Sequence, residues 1–238
     1  MARTYNVIDA DGHILEPVDI WEKYIDPAYR ERAPRMIVDT DGKERLLVEG
    51  KILGSPKGLG LIGGIGARQG TVDDVTMKYV EGRPGGFDPH ARIPDMDLDG
   101  IDAAFLYPSI GLFSGAVQDP GLAAAMCRAY NRWLADYCKP YPDRLFGVAM
   151  LPMQSIPMAI EEMRFARKEL GMRGASCGRT RTTTGCSTIR TTRRSGTRSR
   201  SSTSRSACTR APAAACRRSA SIASRSAGRV TSSRTRWR

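Results

Sequence analysis

Ala103-Ala104-Phe105-Leu106-Tyr107 and Leu145-Phe146-Gly147-Val148-Ala149-Met150 are short apolar runs, and the segment between them decides the fold class of this chain. Within it Leu122, Met126, Tyr130, Trp133 and Tyr137 recur at helical spacing, and Pro140 ends the pattern. Each flanking run has the length and apolar character of a buried strand. Reading forward, Pro157 opens a second helix. Ile160, Met163, the aliphatic stem of Arg167 and Leu170 line one side of it, Gly171 stops it, and a further strand starts near Met172. Reading backward, Asn6 to His13 begins as an apolar strand, and residues 19–25 form a short helix. Met36-Ile37-Val38 and Leu46-Leu47-Val48 flank Asp41-Gly42 as a hairpin, and residues 50–70 are a Gly-rich loop. Strands alternating with helices at this spacing predict an α/β fold with a parallel sheet.

The pattern breaks abruptly after Leu170. From Gly171 to Arg238 there is no Leu, Asp, Glu, Lys, His, Asn, Gln, Phe or Tyr, but there are seventeen arginines. The whole chain carries 37 Lys+Arg against 25 Asp+Glu, a net of +12; residues 1–170 carry 20 against 25, a net of −5. The basic balance therefore belongs to the last 68 residues and says nothing about partners of the front part. That segment has almost no large apolar side chain to offset the entropy of ordering, so a disordered basic tail over 177–238 is expected. Two readings of it stay open: an Arg-Ser arm that binds polyanions, and translation of a GC-rich gene in a shifted frame.

The second can be checked on the residues. If each original codon joins the last base of one tail codon to the first two of the next, Cys177 through Thr183 admit Val-Arg-Pro-Asn-Pro-Tyr-Asn. Cys208 through Ala211 then admit Val-His-Glu-Gly, and Thr231 through Arg238 admit His-Val-Ile-Ala-His-Thr-Met-Glu. These hypothetical segments are rich in the residue types the tail lacks.

At the front, Asp11 and His13 stand two residues apart on the first strand, so both project to one side. One carboxylate oxygen and one imidazole nitrogen suit zinc or a similar divalent ion. The same pair also suits a polar strand end capped by its loop.

Ile8-Asp9-Ala10-Asp11-Gly12-His13-Ile14-Leu15-Glu16-Pro17 resembles the amidohydrolase-related superfamily, in particular the branch around aminocarboxymuconate-semialdehyde decarboxylase. So do Gly86-Phe87-Asp88-Pro89-His90-Ala91-Arg92, Asp95-Met96-Asp97-Leu98-Asp99-Gly100-Ile101-Asp102, Phe105-Leu106-Tyr107-Pro108 and Arg144 through Pro152. The resemblance spans roughly residues 5–176. It implies a metal-dependent (β/α)8 barrel acting on a small carboxylated or aromatic molecule as hydrolase or non-oxidative decarboxylase, with zinc at Asp11 and His13. By the same resemblance, strands five, six and eight supply the remaining ligands. The position of the strand-five histidine would overlap Thr209, a second would overlap Thr235, and no Asp follows Asp143.

The chain is therefore expected to hold an incomplete (β/α)8 TIM-barrel-like part over 1–176, with an insertion at about 17–90, and to be inactive alone. Open strand edges predict poor solubility, and a homo-oligomer is compatible with the family. Gly58-Leu59-Gly60-Leu61-Ile62-Gly63 matches a dinucleotide glycine pattern but lacks the flanking strand, helix and acidic residue, so no organic cofactor is expected. His90 reads as a loop or helix-start residue, and Cys127 and Cys138 have no metal spacing. With no secretory leader and no apolar run of membrane length, a cytoplasmic location without membrane contact is expected.

Overall fold

The computed structural model describes residues 4–53, 58–60 and 78–177. All lie in the first of the two units of the chain, Met1–Cys186 and Ser187–Arg238. The expected disordered tail and most of the Gly-rich loop fall outside the described residues. Along the chain run β1 (Ile8–His13), α1 (Ile20–Tyr24), β2 (Arg35–Val38), β3 (Glu44–Val48), β4 (Lys51–Leu53), α2 (Pro89–Leu98) and β5 (Ala103–Tyr107). After them come α3 (Pro120–Cys138), β6 (Leu145–Met150), α4 (Ile156–Lys168) and β7 (Gly174–Ser176).

β1, β5, β6 and β7 form one curled sheet in that order, and every pair in it is parallel. Helix α3 carries the chain from β5 to β6, and α4 carries it from β6 to β7. This is the parallel α/β half-barrel sheet expected, with four strands among the described residues. The order follows from parallel pairing, which needs a long crossover between neighbours.

The sheet has two distinct faces. Ala104 pairs with Leu145 and Leu106 with Gly147, and Ala104, Leu106 and Leu145 are buried toward the helices. On α3, Leu122, Met126, Leu134 and Tyr130 are fully buried against them, each large aliphatic contributing about 1.5–3 kcal/mol relative to exposure. Gly147 permits this close seating, because a Cβ there would stand 2.9 Å from Leu134 Cγ. On the concave face Phe105 and Phe146 lie side by side with ring centroids 5.3 Å apart, both half-buried. The lower ends of the strands are tied by polar groups. Asp102 Oδ2 accepts from the N–H groups of Asn6 at 2.6 Å and Val7 at 2.9 Å, and Arg144 donates to the carbonyls of Ile101 and Asp102.

Segment 17–90 carries α1 and a separate antiparallel sheet, β2-β3-β4. The hairpin expected at Asp41-Gly42 is present. Gly42 takes φ +74°, and Asp39 Oδ1 caps the turn by accepting from Asp41 and Lys43. Lys51–Leu53, read from sequence as the start of a Gly-rich loop, is instead a third strand. Glu49 and Gly50, at φ +49° and +72°, make the tight turn that returns it onto β3.

The expected side of α4 is also corrected. Ile160 and Met163 are 38% and 46% exposed, and Arg167 is exposed, whereas Ala159, Glu162 and Ala166 are buried. Small residues face inward where the helix closely approaches its neighbours. Of the row Ile160, Met163, Arg167 and Leu170, only Leu170 packs against the core. Among the described residues no helix is long and apolar enough to cross a membrane.

Candidate functional site

The C-terminal end of β1 is shaped by an irregularity in its pairing. Asp9 faces Ala104 and Gly12 faces Leu106, so β1 accommodates one extra residue between them. The Asp9 carboxylate fills the bend, accepting from the Asp11 N–H at 3.1 Å. Beyond it, burial runs exposed, buried, half-buried over Asp11, Gly12 and His13. Gly12 thus turns to the helix side while Asp11 and His13 turn to the concave side. Glycine suits position 12, since a Cβ would crowd Asp9 Oδ2 at 2.6 Å and the Phe105 carbonyl at 3.2 Å.

His13 is held at two points. Its carbonyl accepts from Arg92 Nη1 at 2.9 Å, which brings a residue of α2 onto the end of β1. Its ring Nδ1 lies 3.0 Å from the Pro108 carbonyl oxygen, just past β5. A carbonyl can only accept, so this bond places a proton on Nδ1, and in the neutral ring the lone pair then sits on Nε2. Metal-bound histidines commonly anchor their second nitrogen in this way, so the ring suits a cation. Asp11 adds one exposed carboxylate. Among the described residues no group of three His, Cys, Asp or Glu side chains is close enough to hold an ion.

Directly below lies a feature not anticipated from sequence. Glu16, in the loop after β1, is completely buried. Its Oε1 accepts from the N–H groups of Ser109 at 3.0 Å and Gly111 at 2.9 Å, and its Oε2 from Ile110 at 2.9 Å. The Tyr79 hydroxyl donates to the Glu16 carbonyl at 3.1 Å and approaches Oε2 at 3.4 Å. Burial pushes the Glu16 carboxyl up, and backbone N–H donors, Gly111 first, offset part of that push. Burial and the Glu16 charge together keep the Tyr79 and Tyr130 phenols neutral. A Cβ on Gly111 would stand 3.0 Å from Glu16 Oε1, 2.9 Å from Pro108 Cβ and 3.1 Å from Met150 Sδ. The one local sequence signal was a lone carboxylate set among Ile14, Leu15 and Pro17. Its donors lie 93 to 95 positions away.

A second buried polar group secures the end of β6. The Asn131 side chain accepts from the Met150 N–H at 2.8 Å and donates to the Met150 carbonyl at 3.0 Å. It also donates to Glu162 Oε1 at 2.8 Å. Glu162 Oε2 takes a 2.6 Å bond from Arg128 Nε, whose guanidinium stacks 3.7 Å from the Phe165 ring centroid.

His90 stands apart from this site. It begins α2 after the Asp88 cap, and its Nδ1 lies 2.9 Å from the Tyr141 hydroxyl, in the turn before β6. A groove of about 990 Å³ between α1 and the antiparallel sheet, lined by Trp21, Arg30, Met36 and Val38 among others, includes neither Asp11 nor His13.

A sequence model of the family described as Amidohydrolase matches residues 8–189. A 2-amino-3-carboxymuconate-6-semialdehyde decarboxylase from Dictyostelium discoideum is 29% identical over 92 residues, which are 39% of this chain and 25% of that protein. A solved amidohydrolase from Mycobacterium avium subsp. paratuberculosis K-10 superposes with a TM-score of 0.54 at 23% identity. That match covers 72% of this chain and 49% of the other, and shows a shared fold. A 5-carboxyvanillate decarboxylase from Novosphingobium aromaticivorans DSM 12444, solved with bound manganese, matches at 23% identity and a TM-score of 0.43 over 72% of this chain and 41% of its own. The chain thus spans a quarter of the curated relative and about half of the first of these structures.

Proposed function

Because the chain belongs to the amidohydrolase family, whose model covers residues 8–189 of 238, we propose that it is the front half of a metal-dependent hydrolase or non-oxidative decarboxylase. Its substrate is a small carboxylated or aromatic molecule. Asp11 and the Nε2 atom of His13 are the donors this half contributes to a divalent ion, with zinc as the first candidate. The observation that carries this reading is the half-buried His13 ring, anchored through Nδ1 to the Pro108 carbonyl so that Nε2 is left to another partner.

When bound, such an ion polarises a substrate oxygen or lowers the pKa of a bound water toward neutrality. The described residues have a supporting part. Arg92 fixes the His13 backbone, Pro108 fixes its ring, and the Asp9 bend brings Asp11 to the same side. Catalytic zinc sites use three protein ligands and keep one position open. Asp11 and His13 supply two, so the 238-residue chain is proposed to bind metal weakly and to show no turnover. Residues 177–238 are proposed to be out-of-frame translation. Polyanion binding by their arginines, with a steep salt slope, would then follow from charge alone.

Isothermal titration of the chain with zinc and with manganese tests the metal reading. Weak binding lost in His13→Ala and in Asp11→Asn is expected; binding unchanged in both variants refutes it. Reading the coding sequence near the codons for Ala175 to Cys177 tests the frame, since an intact frame there would sink that part. A frame-restored gene, assayed for loss of carboxylate against amide or lactone cleavage, separates decarboxylase from hydrolase.

A further inference from the structure

The Glu16 clamp and the His13 anchor meet on one peptide unit. The N–H of Ser109 and the C=O of Pro108 belong to the same amide. That amide donates to Glu16 Oε1 at 3.0 Å on one side and accepts from His13 Nδ1 at 3.0 Å on the other. We propose that Glu16 is a positioning residue for His13: acting through the Pro108–Ser109 peptide, it holds the imidazole in the tautomer with the proton on Nδ1 and the lone pair on Nε2.

The physics is that of a polarised chain of hydrogen bonds. An amide whose N–H donates to a buried carboxyl oxygen shifts electron density to its own carbonyl oxygen, which becomes the stronger acceptor. Such coupling strengthens each successive bond by about 10–30%. Bulk solvent does not reach the contact, because Glu16 and Ser109 are both 0% exposed. The geometry is also stiff. The neighbouring N–H groups of Ile110 and Gly111 grip the same carboxylate, so the turn that carries the Pro108–Ser109 amide is held at three successive points. In metal sites a carboxylate often takes the second nitrogen of a ligand histidine directly; here a peptide is interposed. The functional meaning rests on the proposed metal reading, but the tautomer itself can be measured without metal.

The chain has only two histidines, so its imidazole spectrum is simple. Uniformly ¹⁵N-labelled protein, with His90→Ala to leave one ring, is recorded by long-range ¹H–¹⁵N correlation about two pH units above the usual histidine pKa. A pyrrole-type Nδ1 and a pyridine-type Nε2 are expected, the reverse of the tautomer that free histidine favours. In Glu16→Gln the ratio of the two tautomers is expected to fall about threefold or more, the effect of weakening one hydrogen bond. Gly111→Ala, which crowds the same Oε1 while keeping the charge, is the milder second variant and should move the ratio the same way. A wild-type ring with its proton on Nε2, or folded variants that leave the ratio unchanged, would overturn the proposal. Adding zinc to the same sample separates the two readings. An unmoved Nε2 resonance refutes the metal assignment and leaves the relay intact; a zinc-shifted Nε2 with no effect of Glu16→Gln refutes the relay alone.

Discussion

Replacing Asn131 by Ala should be among the most damaging single changes in the folded part. The wild-type amide satisfies both backbone groups of Met150, at 2.8 and 3.0 Å, and supplies Glu162 with one donor at 2.8 Å. Asn131 is completely buried and Glu162 is 3% exposed. Truncation strands one N–H and one C=O, each costing about 1–3 kcal/mol when buried without a partner. Glu162 keeps Arg128, so its loss is partial. The expected total is about 3–5 kcal/mol, a large part of the roughly 5–15 kcal/mol that holds a typical domain together. Urea unfolding followed by tryptophan fluorescence suits the test, since Trp133 is 7% exposed and lies two positions from Asn131 on α3. With a urea slope of about 2–3 kcal/mol/M, the midpoint should drop by about 1–2 M. Asn131→Asp should be no better, because it keeps an acceptor for the Met150 N–H but sets a carboxylate against Glu162. A loss below about 1 kcal/mol in Asn131→Ala, the scale of an ordinary surface change, would refute the claim that this amide closes the end of β6.

Gly111→Ala forces Pro108, Glu16 or Met150 to give way, since its Cβ has contacts at 2.9 to 3.1 Å. A loss of about 1–3 kcal/mol in thermal or urea unfolding is expected. Asp39, Asp95 and Asp119 all have carboxyls held below the usual aspartate range. The leading causes are the Lys43 N–H for Asp39, the Arg83 fork for Asp95 and Arg32 for Asp119. Their stabilisation is therefore complete above the unfolded aspartate pKa of about 3.9 and fades as pH falls through the lower folded values. Asp95→Asn should flatten the acid limb of a stability-against-pH curve; an unchanged limb counts against the pairing. Burial pushes the Cys138 thiol up to about 12 and the Cys127 thiol higher still. Iodoacetamide near pH 8 should label exposed Cys177 well before either, as peptide mass mapping would show; early labelling of Cys127 would contradict the packing of α3.

The parallel half barrel was legible in residues 103–171 because strand and helix periods differ and each element buries a continuous apolar face. Leu106, Leu145 and the α3 stripe declared themselves through spacing alone. Helix α4 misled the reading because its inward residues are Ala159 and Ala166, small enough for close approach, while larger Ile160 and Met163 face outward. Hydrophobic size is a poor guide to orientation where backbones pack closely. Lys51–Leu53 was missed for a related reason. Gly50 looked like the start of a loop, and only pairing with β3 makes it a turn.

What the residues determined unaided was the class of fold, the strand carrying Asp11 and His13, and the family to which the ordered motifs belong. Only tertiary structure decided how those side chains are held. The Nδ1 anchor comes from Pro108, the backbone brace from Arg92 and the clamp from Glu16, across separations of 79 to 95 residues. Local propensity carries no information over such distances. The partners of a buried polar group are set by which strand ends the parallel crossovers bring side by side, and that is a property of the folded chain.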